Sequence, residues 1–472
     1  MPYKLSIWLI SINAARTECG VNAAMTYSDP LQAALLSDRV PRYTSYPPAS
    51  RFTQRVSEAA VLRWMDAMPD GAEVSLYVHV PFCRRLCYFC ACRTQGTRSD
   101  APLDSYLESL ASEVAEVSLR LPKDVRIKAL HLGGGTPTIL SPERLFRLSN
   151  MLHQAFPITR DTQISAEIDP TDCDRPRLDA LARMGLRRAS LGVQDFEPIV
   201  QDAIGRHQSV SDTADCAADL RDRGVTSLNI DFLYGLPHQT EDSLNRTLDH
   251  VLEISPDRLA LFGYAHVPWM ARRQRVIPEE ALPGAEDRVA LNRLARQRLL
   301  DEGYVLVGMD HFAKANDSMA TAAESGLLRR NFQGYTTDTA PYLIGLGPSA
   351  ISEWPEGYSQ NATSTGDWKA RLMEQTLPAA RGYALTEDDR VVKTVISDIM
   401  CKGQVNLAKV ASDPATSDAL VRQATTTIRH LPGIATLIGS VLKAERPEYL
   451  RLLAAAFDPT VEDEAERYSV AS

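Results

Sequence analysis

Cys83-Arg84-Arg85-Leu86-Cys87-Tyr88-Phe89-Cys90-Ala91-Cys92 follows directly on the apolar run Val74-Ser75-Leu76-Tyr77-Val78-His79-Val80-Pro81-Phe82. Half of the eight cysteines of the chain fall within these ten residues. Thiolates held this close repel one another unless a cation neutralises them, so the loop is read as a metal site. Structural zinc would take two short pairs a dozen or more residues apart, so that the chain wraps a tetrahedron. No second Cys or His pair at that spacing exists. A disulfide would need an oxidising compartment, for which nothing else in the chain speaks. An iron–sulfur cluster suits a compact loop better, because its irons are spread over a cube and accept ligands from neighbouring residues. Cys92 exceeds a three-ligand set, and is either a wall of the site or an unrelated thiol.

Outward from this loop, short β-branched runs alternate with helical patterns. Strands are expected at 74–80, 127–132, 163–168, 187–193, 227–233 and 258–264. Helices are expected near 103–120, 141–155, 174–184, 211–223 and 241–253. Ser141-Pro142 makes a good N-cap and first turn, and Gly185 a good stop. Six strand–helix units in series imply a parallel sheet, because parallel neighbours need crossovers. Curled up, they make an α/β fold, a partial (β/α)6 TIM-like barrel. Sites in such barrels gather at strand C-terminal ends. There the sequence puts the cysteine loop, Gly133-Gly134-Gly135-Thr136-Pro137, Glu167 and Asp169, Gln194-Asp195, Asp231, and Tyr264-Ala265-His266. The glycine triplet is neither a P-loop nor G-x-G-x-x-G. It is a tight turn or a close approach of backbone to a ligand, and ligand contact is the reading preferred here.

The flanks divide the 472 residues into four parts. Residues 1–37 form an N-terminal extension, in part disordered. Its first 24 residues have the outline of a secretory signal, but the apolar stretch is short and broken by serines. An over-extended start before Met25 is the better reading. Residues 38–73 form an arm whose prolines prevent a helix at 38–52; Arg42, Tyr43 and Tyr46 equip it to fold over a site. Residues 74–385 hold the barrel, with 280–303 helical and with 308–313, 330–336 and 345–351 taken as loops returning to its mouth. Residues 386–472 form a smaller, mainly helical C-terminal domain, opened by Thr386 as N-cap with Asp389 as box partner, and closed by a frayed acidic end. A formal charge of −9 without a basic tail argues against nucleic-acid binding. No run of about 18 apolar residues suggests a membrane span. A soluble, cytoplasmic protein is expected.

The intervals at Cys83, Cys87 and Cys90, with Phe89 before the third cysteine, resemble the cluster loop of radical S-adenosylmethionine (SAM) enzymes. Over about 38–402 the chain is similar to the oxygen-independent coproporphyrinogen III oxidase family. The stretches that carry this are Pro41-Arg42-Tyr43-Thr44-Ser45-Tyr46-Pro47, Tyr77–Cys83, the four-cysteine loop, Gly133–Thr138, Glu167–Pro170, Gly192–Phe196, Asn229-Ile230-Asp231, Met309–Phe312 and Asn331–Thr336. The resemblance implies a [4Fe–4S] cluster on Cys83, Cys87 and Cys90. It implies SAM at Tyr77, Gly134 and Glu167, with Ile351 near its adenine. Phe89, Gly135, Thr136, Gln194, Arg206, Asp231 and Ala265 match positions used for SAM, including a second molecule, near which Cys92 and Gln333 sit. Tyr77, Cys92 and Gln333 are the candidate catalytic residues. Ala91 stands where the family typically has glycine, so weaker binding of the second SAM is expected.

The implied reaction converts two propionates of coproporphyrinogen III to vinyl groups, giving protoporphyrinogen IX. A low-potential electron donor is the implied partner, and a monomer the expected state. The alternatives are another radical SAM reaction on a tetrapyrrole, or a haem chaperone using His79, His266 or His311.

Overall fold

The structure is a computed structural model and describes residues 39–461. The expectations for the N-terminal extension and for the acidic last dozen residues lie outside the described residues. Six parallel strands stand side by side in chain order: β1 (Glu73–Val80), β2 (Arg126–Gly134), β3 (Gln163–Ile168), β4 (Leu186–Gln194), β5 (Ser227–Tyr234) and β6 (Arg258–Gly263). The intervening helices Ala101–Arg120, Pro142–Ala155, Arg175–Met184, Val210–Asp222 and Glu241–Ile254 pack outside them. Local chemistry sets their ends. Ser141 accepts from the Arg144 N–H, Gly185 ends its helix in the left-handed region at φ 104°, and Thr386 and Asp389 form a capping box.

The sheet continues past the six strands to 12. Tyr342–Leu346 pairs parallel with β1, and Ile351–Trp354, Gly357–Asn361 and Ala379–Ala384 follow antiparallel on that edge. His311–Lys314 pairs antiparallel with β6, and Tyr304–Val307 lies beyond it. This corrects the reading of 308–313, 330–336 and 345–351 as loops. His311–Lys314, the pair Arg329–Asn331 and Gly334–Thr336, and Ile351–Trp354 are strands. Gly308 and Gly347 have φ of 64° and 96° at the bends beside them. Such glycines shorten the apolar runs and hide the strands from a periodicity reading.

The C-terminal unit adds a three-stranded sheet (Gln404–Asn406, Ala435–Ile438, Val441–Ala444) to helices Glu387–Lys402, Pro414–His430 and Leu450–Ala455. The arm joins this unit. Val40, Tyr43 and Tyr46 are buried in the same cluster as Val395, Ile399 and Leu452, worth roughly 1.5–3 kcal/mol for each large side chain. The Tyr43 hydroxyl donates to Asp458 (3.1 Å). None of the described helices is long and apolar enough to cross a membrane.

Candidate active site

The cysteine loop leaves the C-terminal end of β1, and the next strand closes against it. Gly135 N–H donates to the Val80 carbonyl (2.8 Å) and Thr136 N–H to the Phe82 carbonyl (2.9 Å). A Cβ at Gly135 would stand 2.5 Å from the Phe82 oxygen, and one at Gly134 (φ 107°) 2.5 Å from the His79 ring. The glycines are therefore required by close approach of the two segments.

Period-2 alternation puts Tyr77, His131 and Glu167 on the inner face of neighbouring strands. Tyr77 is the register partner of His131, and their rings stack 5.8 Å apart. The Tyr77 hydroxyl lies 3.0 Å from His79 Nδ1. Glu167 Oε2 accepts from Gly134 N–H (3.0 Å), while Oε1 lies 3.5 Å from His131 Nε2. Burial pushes the Glu167 carboxyl up, but His131, the Gly134 N–H and His79 outweigh it and hold the carboxyl below its ordinary value. Gly345 is the register partner of Tyr77, and a Cβ there would stand 2.6 Å from the Ile351 carbonyl oxygen. Ile351 thus lies one strand beyond Gly345 on the Tyr77 side of the sheet.

The thiols differ from one another. Burial raises Cys83 to about 11, against hydrogen bonds with Thr136 and Thr94. A hydrogen bond with Cys92 lowers Cys90 to about 6, and Arg273 and Arg206 add to this. Cys92, the partner in that bond, is pushed up by it, by the charge of Cys90 and by burial. Arg206 donates from Nη1 to Cys87 Sγ (3.6 Å) and Asp169 Oδ2 (3.2 Å), and from Nη2 to the Gly192 carbonyl (2.6 Å). Its Nε is buried without a partner. Gln194 closes β4 at φ 72°. Ala91 is absent from the left-handed region among the described residues, so the conformational reason for a glycine there does not operate in this loop.

Gln274 was invisible to sequence reasoning. Its Nε2 donates to both the Phe89 carbonyl (2.7 Å) and the Ala265 carbonyl (3.0 Å), joining two expected site residues. It lies in the short 3-10 helix Arg272–Val276 with no motif, and only its 1% exposure reveals it. His131 was also missed, although strand parity with Gly133 and Glu167 could have found it. A cavity of about 280 Å³ runs along the barrel interior, with His131, Glu167, Asp231, His311 and Gln333 in its wall. Asp231 accepts from Ser190 Oγ (2.9 Å) and Asn229 Nδ2 (2.7 Å), and burial raises its carboxyl. Gln333 lies on this wall, its backbone N–H on Asn331 Oδ1 (2.9 Å).

The residues present fit the expected cofactors. Three thiols lie in one loop, and among the described residues no three His, Cys, Asp or Glu side chains converge on a single-ion position. Ligands for three different irons need no such convergence. The orphaned Arg206 Nε suits a carboxylate, and the Glu167 carboxylate an amine. Of the three histidines a haem chaperone would use, His79 and His266 are engaged through both ring nitrogens and His311 through Nδ1. His79 bonds through both ring nitrogens to Tyr77 and the Arg93 carbonyl. His266 does so to Tyr264 and Glu279, and His311 is held by Asp310.

Comparison with known proteins agrees with this geometry. Residues 77–251 match the Radical SAM superfamily. The oxygen-independent coproporphyrinogen III oxidase of Paracoccus denitrificans is 48% identical over 379 residues, covering 80% of this chain and 84% of that protein. The protein of the same name from Cereibacter sphaeroides is 46% identical over 431 residues, covering 90% and 95%. The structure of coproporphyrinogen III oxidase (HemN) from Escherichia coli, described as a radical SAM enzyme, superposes with a TM-score of 0.83 at 35% identity, covering 88% of this chain and 97% of that one.

Proposed function

Since this chain belongs to the oxygen-independent coproporphyrinogen III oxidases of the radical SAM superfamily, we propose that it oxidatively decarboxylates two propionates of coproporphyrinogen III to vinyl groups, giving protoporphyrinogen IX. Its cofactors are a [4Fe–4S] cluster and SAM. Bound together, they would supply the one-electron chemistry that removes a hydrogen atom from the propionate β-carbon, with carbon dioxide and one electron as the other products.

Cys83, Cys87 and Cys90 would hold the cluster, with Cys92 two residues on in the same loop. Glu167, kept anionic, accepts from the SAM amine next to Gly134. Tyr77 and Ile351 close the adjoining wall. Arg206 offers its free Nε to a carboxylate, within a second set formed by Phe89, Gly135, Thr136, Gln194, Asp231 and Ala265. Gln333 faces the substrate side of the cavity. The same reading calls for a low-potential electron donor, a cytoplasmic location and a monomer.

The observation that carries the proposal is the Gly133–Thr136 turn, closed on the cysteine loop with Glu167 bonded to it. The test is an anaerobic assay of reconstituted protein with coproporphyrinogen III, SAM and a reductant. Protoporphyrinogen IX and 5′-deoxyadenosine are expected together; 5′-deoxyadenosine without any vinyl product would point to another substrate.

A further inference from the structure

Across the cavity from Glu167, one imidazole keeps a nitrogen free. His311 opens the strand His311–Lys314 next to β6, with Ala260 as its register partner. Glu167 stands on β3, so the curled sheet sets the two residues facing each other over the cavity that both line. His311 Nδ1 lies 2.7 Å from Asp310 Oδ1. The ring is wedged between two aromatic side chains, Phe262 at 5.4 Å and 78° and Tyr335 at 5.1 Å and 81°. Among the described residues Nε2 takes no hydrogen-bond partner, and Gly334, which has no side chain, leaves its approach clear.

Asp310 decides what that nitrogen can do. Burial pushes the Asp310 carboxyl up, but His311, Arg330 and Arg42 outweigh it and hold the carboxyl below its ordinary value. A carboxylate can only accept, so Nδ1 carries a proton and donates to it. In the neutral ring Nε2 then keeps its lone pair and is an acceptor. A cationic amine would find stronger acceptors in Asp231 and Glu167 of the same cavity. An acceptor framed by aromatic edges instead complements an N–H set in a flat, apolar ring.

We propose that His311, oriented by Asp310, accepts a hydrogen bond from a pyrrole N–H of the tetrapyrrole and so turns the propionate of that ring towards SAM. The inference rests on the proposed function and deepens it. In a substituted pyrrole the N–H lies opposite the two carbons that bear the side chains. Anchoring the N–H at His311 therefore presents the propionate-bearing edge to Glu167 and the Gly134 turn. A cavity of about 280 Å³ is small for a whole ligand of this class, so one ring enters it. The saturated bridges of a porphyrinogen let one pyrrole tilt out of the mean plane. A porphyrin is flat and turns its N–H groups to its own centre. His311 thus makes the site selective for the reduced macrocycle.

The test is anaerobic titration of the full reconstituted chain at about pH 8, where an imidazole is ordinarily neutral. The ligands are coproporphyrinogen III and coproporphyrin III, which share four propionates and differ in the core. Wild-type protein should bind the porphyrinogen more tightly, and equal affinity overturns the proposal whether or not a variant folds. His311→Leu should weaken the porphyrinogen roughly tenfold and leave coproporphyrin III, SAM and iron content per chain unchanged. A loss shared equally by both macrocycles, or one that falls on SAM, overturns the proposal. His311→Gln, whose amide oxygen accepts, should recover part of the loss; a loss as large as that of His311→Leu overturns the hydrogen bond as its cause. Selective binding of coproporphyrinogen III without any vinyl product breaks the proposed function instead.

Discussion

On the β1–β4 side of the barrel mouth, the cysteine loop, the Gly133–Thr136 turn, Glu167 and His131 are tied to one another within the barrel itself. On the β5–β6 side, the charged contacts come from the arm, from segments near 288 and 330, and from Arg451 of the C-terminal unit. The first side is pre-organised by neighbouring strands. The second exists only when distant segments are docked. Cofactor chemistry needs fixed geometry, whereas a large macrocycle needs a wall that assembles around it, so the two sides should fail differently when perturbed.

The largest effects belong to the cofactor side. Cys83→Ser, Cys87→Ser or Cys90→Ser should each abolish iron–sulfur absorbance and SAM cleavage, while Cys401→Ser, buried far along the chain in a packed helix, should keep both. Absorbance and 5′-deoxyadenosine assays decide this. Zinc bound in place of about four irons would break the comparison at its root. Next comes Glu167→Gln, which removes a charged acceptor from the Gly134 turn. Equilibrium dialysis should show SAM affinity lower by roughly ten- to a hundredfold, with cluster content intact.

What the sequence made legible follows the same division. The six strands and five helices fell within two residues of their runs, because strand parity and caps such as Ser141 and Thr386 are local signals. The cysteine loop, Gly133–Thr136 and Glu167 are legible because each lies in a short contiguous motif at the end of one strand. Gln274 and the contacts of Arg42, Arg330 and Arg451 are not, since their meaning arises only when segments far apart in the chain touch. The strands Ile351–Trp354 and His311–Lys314 were hidden by the glycine bends beside them.

Smaller effects sharpen the contrast. Tyr43→Phe removes the arm's bond to Asp458; because Asp458 keeps Thr460 as a donor, the loss should be about 1 kcal/mol. Denaturant unfolding measures it, and an unchanged midpoint would show that the arm is not docked as described. Glu113 links helix Ala101–Arg120 to the segment beside Tyr77, accepting from Gly347 N–H (2.7 Å), Asn361 Nδ2 (2.6 Å) and Trp368 Nε1 (3.0 Å). Burial raises its carboxyl to about 7 against these three bonds. A folded value above the ordinary one means the stabilising contribution is full below about 4.5 and is lost as pH rises through about 7. Wild-type thermal stability should therefore fall from about pH 5 to pH 7 more steeply than that of Glu113→Gln; equal slopes would contradict the assignment. The smallest effect is expected at Ala91. Its ordinary backbone leaves Ala91→Gly little to relieve, and the affinity of any second SAM should change by less than about fivefold, a left-handed residue costing only about 1 kcal/mol.

The division of labour across the mouth is tested most directly with coproporphyrinogen III deuterated at the propionate β-carbons. Anaerobic turnover with unlabelled SAM should place deuterium in 5′-deoxyadenosine as vinyl groups form, in wild-type protein. His311→Leu at subsaturating substrate should form fewer vinyl groups yet transfer deuterium in the same proportion to them. Vinyl formation with no deuterium in 5′-deoxyadenosine would contradict the account.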